Sequence, residues 1–418
     1  MKRTAPDRTA FQPRPVDRVE VHDRHAGVRI ILAALAVVIA VAAFAWAIGA
    51  LTRVDQGWRE IEVSSSGEMN CSQDFIFSYD LGGSGISAAA ELKAITALYT
   101  EATERAYRAF SVYEPCEGSD NLYALNRSVN TPVQVDPLLY QAFELVERLG
   151  SRYVYLAPVY AEYHSLFFCS EDWETQGFDP YQNEDVRLFV EQAAVFARSP
   201  ADVRVELLGN STLRLTASDA YLAFAEEYGI VNLVDFSLMK NAFIIDALAQ
   251  VMEDAGYNRG VISSYDGFVR SLSAPQLSYA YNLYDQPQGQ QVCMAARLSC
   301  CGGTSLVNLR SFPLNRQKEI HFYVFADGTV RTAYADLKDG MSRSALPSLL
   351  ATSHSAGCAE TLLRLLPFYA AETLDEAGLL TLVEQGIFPL YPLNGRIVAT
   401  DSGVTLDEVA EGYQVIRP

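Results

Sequence analysis

Apolar and polar positions are spread unevenly along the chain. The sharpest feature is an uncharged run of 22 residues from Ile30 to Leu51, IILAALAVVIAVAAFAWAIGAL. As a helix it would be about 33 Å long, the thickness of a bilayer core, and it has no polar face. Arg29 and Arg53 bracket it. The pattern predicts one membrane-spanning helix. A cleaved signal peptide is the rival reading, but the run exceeds an ordinary signal core and no A-x-A-like cleavage site stands out.

Beyond this run the periodicity changes repeatedly. Asp74 to Tyr79 reads as a strand followed by a glycine-rich turn at Gly82, Gly83 and Gly85, which lacks phosphate-loop spacing. Leu92, Ile95, Leu98, Ala102 and Ala106 recur at helical spacing, which predicts a helix over 88–111. A second helix is predicted from Pro137 to a Gly150 cap, and a third over 242–254. Strands are expected at 203–208, 212–216 and 260–264, then at 277–284, 291–298, 319–325 and 329–334. Ala326-Asp327-Gly328 marks a hairpin between the last two. A closing helix is predicted over 357–371. Hairpins mixed with helical crossovers, without a fixed repeat, indicate an α+β fold with mixed or antiparallel sheets and packed helices.

Composition adds a compartment and excludes some partners. The chain has 418 residues, half of them hydrophobic, enough for a substantial core. Its net charge is −19. The first 51 residues hold seven of the 32 Lys and Arg but four of the 51 Asp and Glu, so the remainder carries 25 against 47. The basic tail predicts a cytoplasmic N-terminus by the positive-inside rule, and the acidic remainder disfavours nucleic acid. The expected organisation is a basic cytoplasmic tail (1–29), a transmembrane anchor (30–51), a linker (52–66) and an extracytoplasmic domain (67–418) at the cell membrane. The cysteines are Cys71, Cys116, Cys169, Cys293, Cys300, Cys301 and Cys358, an odd count with no C-x-x-C pair. Adjacent Cys300 and Cys301 allow a vicinal bridge or two separate thiols. His164, His321 and His354 show no metalloprotease or Ser-His-Asp spacing, and Tyr153, Tyr155, Tyr160 and Tyr163 form an aromatic cluster of core or binding type.

Several segments then fall in a familiar order. Ser111-Val112-Tyr113, Leu125-Asn126-Arg127 and Thr131-Pro132-Val133 come first, followed by the Gly150 to Pro158 stretch. Asp235-Phe236-Ser237-Leu238-Met239-Lys240-Asn241-Ala242-Phe243-Ile244-Ile245-Asp246 matches a D-L-G-G-I-A-K-G-Y-A-V-D motif at both terminal aspartates. Asn282 to Pro287, Asp336-Leu337-Lys338-Asp339-Gly340 (against D-P-R-T-G) and Ala356-Gly357-Cys358-Ala359-Glu360-Thr361 (against A-D-A-L-A-T) complete the series. The stretch from about Met69 to Thr361 resembles the FAD:protein FMN transferases of the ApbE family.

The resemblance implies an ApbE-like fold and an FAD pyrophosphate cleaved with Mg²⁺ help, FMN passing to a Thr or Ser of a target protein. By family position, Met69, Asp235, Asp246, Asp336 and Gly340 would contact the cofactor, and Thr361 the metal. The family's metal-holding Asp is Gly357 here, and phosphate-approaching glycines are replaced by Ala242, Tyr265 and Asp266. A hard cation needs anionic oxygens, and backbone N–H groups reach phosphate where no Cβ intervenes. The expected product is therefore a membrane-anchored pseudoenzyme, binding a protein partner of an envelope redox system or residual flavin, with FAD and Mg weakly held or absent. The alternative is an active Mg-dependent transferase flavinylating a Thr or Ser of an envelope redox protein. Convergence of two or more of Asp266, Asp339 and Glu360 on Thr361, within coordination reach, would favour the active form.

Overall fold

A computed structural model describes residues 26–51, 54–63, 74–116, 118, 120–287, 291–314, 320–401 and 404–418. It divides into two units, Met1–Val54 and Asp55–Pro418. In the first, the apolar run folds as one helix, Ala26–Leu51. Its segment Gly27–Phe44 is long and apolar enough to cross a membrane and is fully exposed within the molecule. That exposure separates it from a core helix, which would be covered.

The second unit is α+β. Among the described residues its main sheet has nine strands, in the spatial order Gly57–Ile61, Phe75–Leu81, Gly260–Ser264, Phe268–Ser271, Ser305–Arg310, Ser348–Ser353, Ile387–Leu393, Arg396–Ala399 and Gln414–Ile416. Neighbours are antiparallel except the last pair. Phe75–Leu81 alternates between buried and half-buried positions, the period-2 pattern of a strand with one covered face. Ser305–Arg310 and Ser348–Ser353 are instead buried at every position. The helices Lys240–Asp254 and Cys358–Tyr369 pack on strands of this sheet. Leu306, Leu350, Leu390 and Ile397 meet Leu283, Ala296 and Leu298 of a second, three-stranded sheet in one apolar cluster. Covering on both faces removes the alternation that sequence periodicity detects.

Most expected elements are present with shifted ends. The helix of 88–111 is Ala88–Phe110, capped by Ser87 and burying Ile95, Tyr99, Thr103, Ala106 and Phe110. Pro137–Leu149 ends at Gly150, whose φ of 61° is the left-handed cap conformation. The hairpin Phe322–Val324/Val330–Thr332 forms about the expected Asp-Gly turn. Gly57–Ile61, read above as linker, is an edge strand. The helices Ala157–Phe167, Glu184–Arg198 and Asp219–Tyr228 were not anticipated. The first of these carries buried residues around most of its circumference, so its sequence shows little contrast between faces. The helix Cys358–Tyr369 is followed by a short helix and four strands, and so does not close the chain.

Cys169, Cys293, Cys300, Cys301 and Cys358 are unbridged; Cys71 lies outside the described residues. Cys300 is buried and Cys301 exposed. The two are neighbours on the strand Cys293–Cys301, and successive strand side chains point to opposite faces, which disfavours the vicinal bridge.

Candidate functional site

A cleft of about 830 Å³ is walled by Phe110, Tyr113, Tyr160, Phe189, Tyr228 and Phe268. The ends of three elements meet at its floor: the start of Phe75–Leu81 at Asp74, the start of Lys240–Asp254, and the turn after Gly260–Ser264. Behind it Phe236 packs edge-on against Phe110, Phe143 and Phe243, with ring centroids 4.9–5.2 Å apart. This aromatic knot fixes the backbone from which Asp235 projects.

Asn126 sets the same segment from the other side. Its buried side chain donates to the Leu122 and Val234 carbonyls at 3.1 and 2.9 Å and accepts from the Leu233 and Val234 N–H groups at 2.8 and 3.1 Å. All of its bonding capacity is thereby used. Asp235 then accepts the Ser237 N–H at 3.0 Å. Burial raises its pKa, opposed by backbone N–H bonds and by Lys240. The Lys240 ammonium lies 4.7 Å from the centre of the Tyr107 ring, a cation–π arrangement. The Tyr107 hydroxyl donates to Asp74.

Asp266 and Asn241 form the floor. Asn241 Nδ2 donates to Asp266 Oδ2 at 3.0 Å. Asp266 Oδ1 and Asn241 Oδ1 are buried and accept no hydrogen bond. Burial pushes the Asp266 pKa up to about 6, with Asp74 adding to the shift and Ser264 and Asn241 opposing it. On the wall, burial lifts Glu162 to about 7 and lowers His321 to about 4; it lowers His164 as well.

The residues expected at the site divide into two groups. Asp235 lines the cleft, whereas Asp246 does not and serves a different purpose. Its two oxygens accept the Cys358 and Ala359 N–H groups at 2.8 and 2.9 Å, so it caps the helix Cys358–Tyr369 across space. Gly357 provides the room. A Cβ there would lie 2.3 Å from Asp246 Oδ2.

Asp336 and Gly340 form a closed turn outside the cleft. Asp336 pairs with Arg343 at 3.1 Å, its carbonyl accepts the Gly340 N–H at 2.7 Å, and a Cβ on Gly340 (φ 75°) would fall 2.7 Å from the Val190 carbonyl oxygen. Thr361 is fully buried and its hydroxyl has no partner. Met69 lies outside the described residues.

A magnesium site of the kind the resemblance implies does not fit these residues. Gly357 supplies no oxygen, and both oxygens of Asp246 are taken by N–H groups. Glu360 is held by Arg148 and Arg364 at 2.9 and 3.0 Å, Asp339 by Arg343 at 2.8 Å, and Asp266 by Asn241. The three carboxylates whose convergence on Thr361 would have favoured chemistry are each engaged elsewhere. Among the described residues no group of three or more His, Cys, Asp and Glu is placed to hold a metal ion. The cradle for a diphosphate is also altered: Ala242 is buried in its helix, while Tyr265 and Asp266 occupy cleft positions where glycines would leave backbone open. Gly267, with φ 106°, serves packing, since a Cβ would meet the Asn308 carbonyl oxygen at 2.2 Å.

Sequence reasoning missed Asp74, Tyr107 and Glu162 as cleft residues. The available signal was the inward face of the helix Ala88–Phe110, where Tyr107 and Phe110 are three residues apart. The scattered His164 and His321 both line the cleft. His354 instead sits 3.2 Å from Thr304 Oγ1 and 4.0 Å from Asp401.

No family model and no curated protein matches the chain. Solved structures do. An ApbE protein from Thermotoga maritima superposes with a TM-score of 0.54 at 13% identity, covering 84% of this chain and 97% of that one. The flavin transferase ApbE from Vibrio cholerae gives 0.52 at 12% identity, covering 86% and 98%. The chain has the ApbE fold, at sequence identities too low to carry activity with it.

Proposed function

We propose that this protein is a membrane-anchored binding module on the ApbE fold that has lost Mg²⁺-dependent FMN transfer, with its ligand cleft kept outside the cytoplasm. The observation that carries this reading is the capture of Asp246 by the helix Cys358–Tyr369, in the space that Gly357 leaves open. Splitting a diphosphate requires neutralisation of charge developing on its oxygens, by a metal or by several fixed cations. Here the corner of the fold that would hold the metal is closed by protein hydrogen bonds, and the described residues of the cleft set five carboxylates against Lys240 and Arg310. The anchor rests on the exposed apolar helix and the orientation on the basic tail before it.

The test uses the full chain in detergent micelles, incubated with FAD, Mg²⁺ and a target domain bearing an acceptor Thr. No covalent flavin fluorescence should appear on a denaturing gel. Fluorescent labelling of the target above a no-enzyme control would overturn the proposal.

A further inference from the structure

Two strands bring exposed apolar side chains to one end of the main sheet. Gly57 pairs with Leu81, so the start of the edge strand Gly57–Ile61 lies beside the turn that leaves Phe75–Leu81. Gln56 packs against that turn, where a Cβ on Gly82 would fall 2.8 Å from its side chain. Trp58 stands at this end with 48% of its surface exposed, and Ile86, at the far side of the turn, has 50%. The Trp58 ring is held in place. It meets the Tyr279 ring edge-on at 5.9 Å, and the Tyr279 hydroxyl donates to the Gly260 carbonyl at 2.9 Å. Asp80, opposite Trp58 in the ladder, has its carboxylate neutralised by Arg259.

The chain arrives at this end directly from the apolar helix. Trp58 is seven residues beyond Leu51, and a stretch of that length spans at most about 25 Å. In a membrane-anchored chain the headgroup layer is therefore always within reach of this ring, and tethering keeps the effective concentration of one for the other high. Trp is the side chain best matched to such a layer, with an apolar body and one N–H that prefers water. Its sequence neighbours here are Gly57 and Arg59, and Arg59 is exposed. Trp173 makes the contrast: it is 70% exposed, yet it stands between Asp172 and Glu174, far along the chain from the apolar helix.

We propose that the sheet end bearing Trp58 and Ile86 docks on the bilayer surface, with both side chains in the headgroup layer. The partner is the lipid surface itself, through apolar contact and not through lipid charge. This rests on the membrane-anchored reading above and adds to it which face of the domain meets the lipid. No bond is made or broken.

The test reconstitutes the full chain in phosphatidylcholine vesicles whose acyl chains carry bromine just below the headgroup, a short-range quencher of indole fluorescence. The chain has three Trp residues, so each can be observed alone: Trp46→Phe with Trp173→Phe leaves Trp58, and Trp46→Phe with Trp58→Phe leaves Trp173. Trp58 should lose fluorescence in brominated vesicles relative to plain ones and be shielded from iodide in the water. Trp173 should keep its fluorescence in brominated vesicles and lose it to iodide. Ile86→Trp, in a chain whose three native Trp are changed to Phe, supplies a second probe that should behave as Trp58 does. Vesicle flotation of the same samples separates the two readings. A chain that floats while either probe ignores the bromine overturns the docking alone. Shielding of Trp58 from both quenchers, the mark of a second copy lying over it, overturns the docking as well. A chain that fails to float overturns the anchor and the docking together.

Discussion

Two corners of this domain each shield a carboxylate, and they handle the burden in opposite ways. At the start of the helix Cys358–Tyr369, Asp246 is matched by two backbone N–H groups, and the glycine beside it leaves just enough space. On the cleft floor, Asp266 is matched on one oxygen only, by a side chain that itself keeps an empty acceptor. The first corner is internally satisfied and has no capacity for a ligand. The second keeps two buried acceptors unmet, at a cost that the surrounding packing offsets. A carboxylate count alone would treat the two corners alike; the placement of donors distinguishes them.

The largest effect should come from breaking the satisfied corner. Asp246→Ala would leave two shielded N–H groups without acceptors and should destabilise the domain by about 3 kcal/mol in urea unfolding, with Asp246→Asn losing less. A loss under about 1 kcal/mol would mean that the corner is not closed in the way described. Next is Gly357→Asp, which places atoms against the Asp246 carboxylate and should cost about 2 kcal/mol by overpacking and repulsion. Added Mg²⁺ should not recover it. Combining it with Asp246→Ala should cost less than the two single changes together, because the new side chain can then cap the helix; strict additivity would refute the shared space.

The open corner predicts smaller effects of the other sign. The Asp266 pKa is raised from 3.8 to about 6 in the folded state. Its neutral form therefore contributes stability that is fully present below about pH 4 and lost as pH rises through about 6. The groups facing it are Asp74, Ser264 and Asn241. Asp266→Asn, which mimics the neutral form, should be more stable than the parent by about 2 kcal/mol at pH 7.5 and near parity at pH 4. Parallel urea midpoints across that range would remove the contrast between the corners. Smallest of all, Tyr107→Phe deletes the bond to Asp74 and should cost about 1 kcal/mol, visible as a shift of a few degrees in Tm.

Much of the architecture was legible in the sequence because it rests on local rules. The apolar helix follows from 22 uncharged residues, the capped helix Pro137–Leu149 from Pro137 and Gly150 at its two ends, and the hairpin from Asp327-Gly328, each a consequence of backbone geometry or solvent partition. The order of short motifs, each weak alone, pointed to the ApbE fold, which the structural matches support. The strands Ser305–Arg310 and Ser348–Ser353 were not legible, since burial on both faces leaves no period to read.

The sequence by itself also determined that one oxygen ligand and several glycines of the familiar pattern are missing, because those are matters of residue identity. Only the tertiary structure decided what fills their places: Asp246 lies 112 positions from the N–H group it accepts at Cys358, and Asn241 meets Asp266 across 25. Side-chain pairing between distant segments depends on how whole elements pack, and hydrogen-bond satisfaction is counted in space. Residue types fixed which groups were available, and packing fixed which of them found a partner.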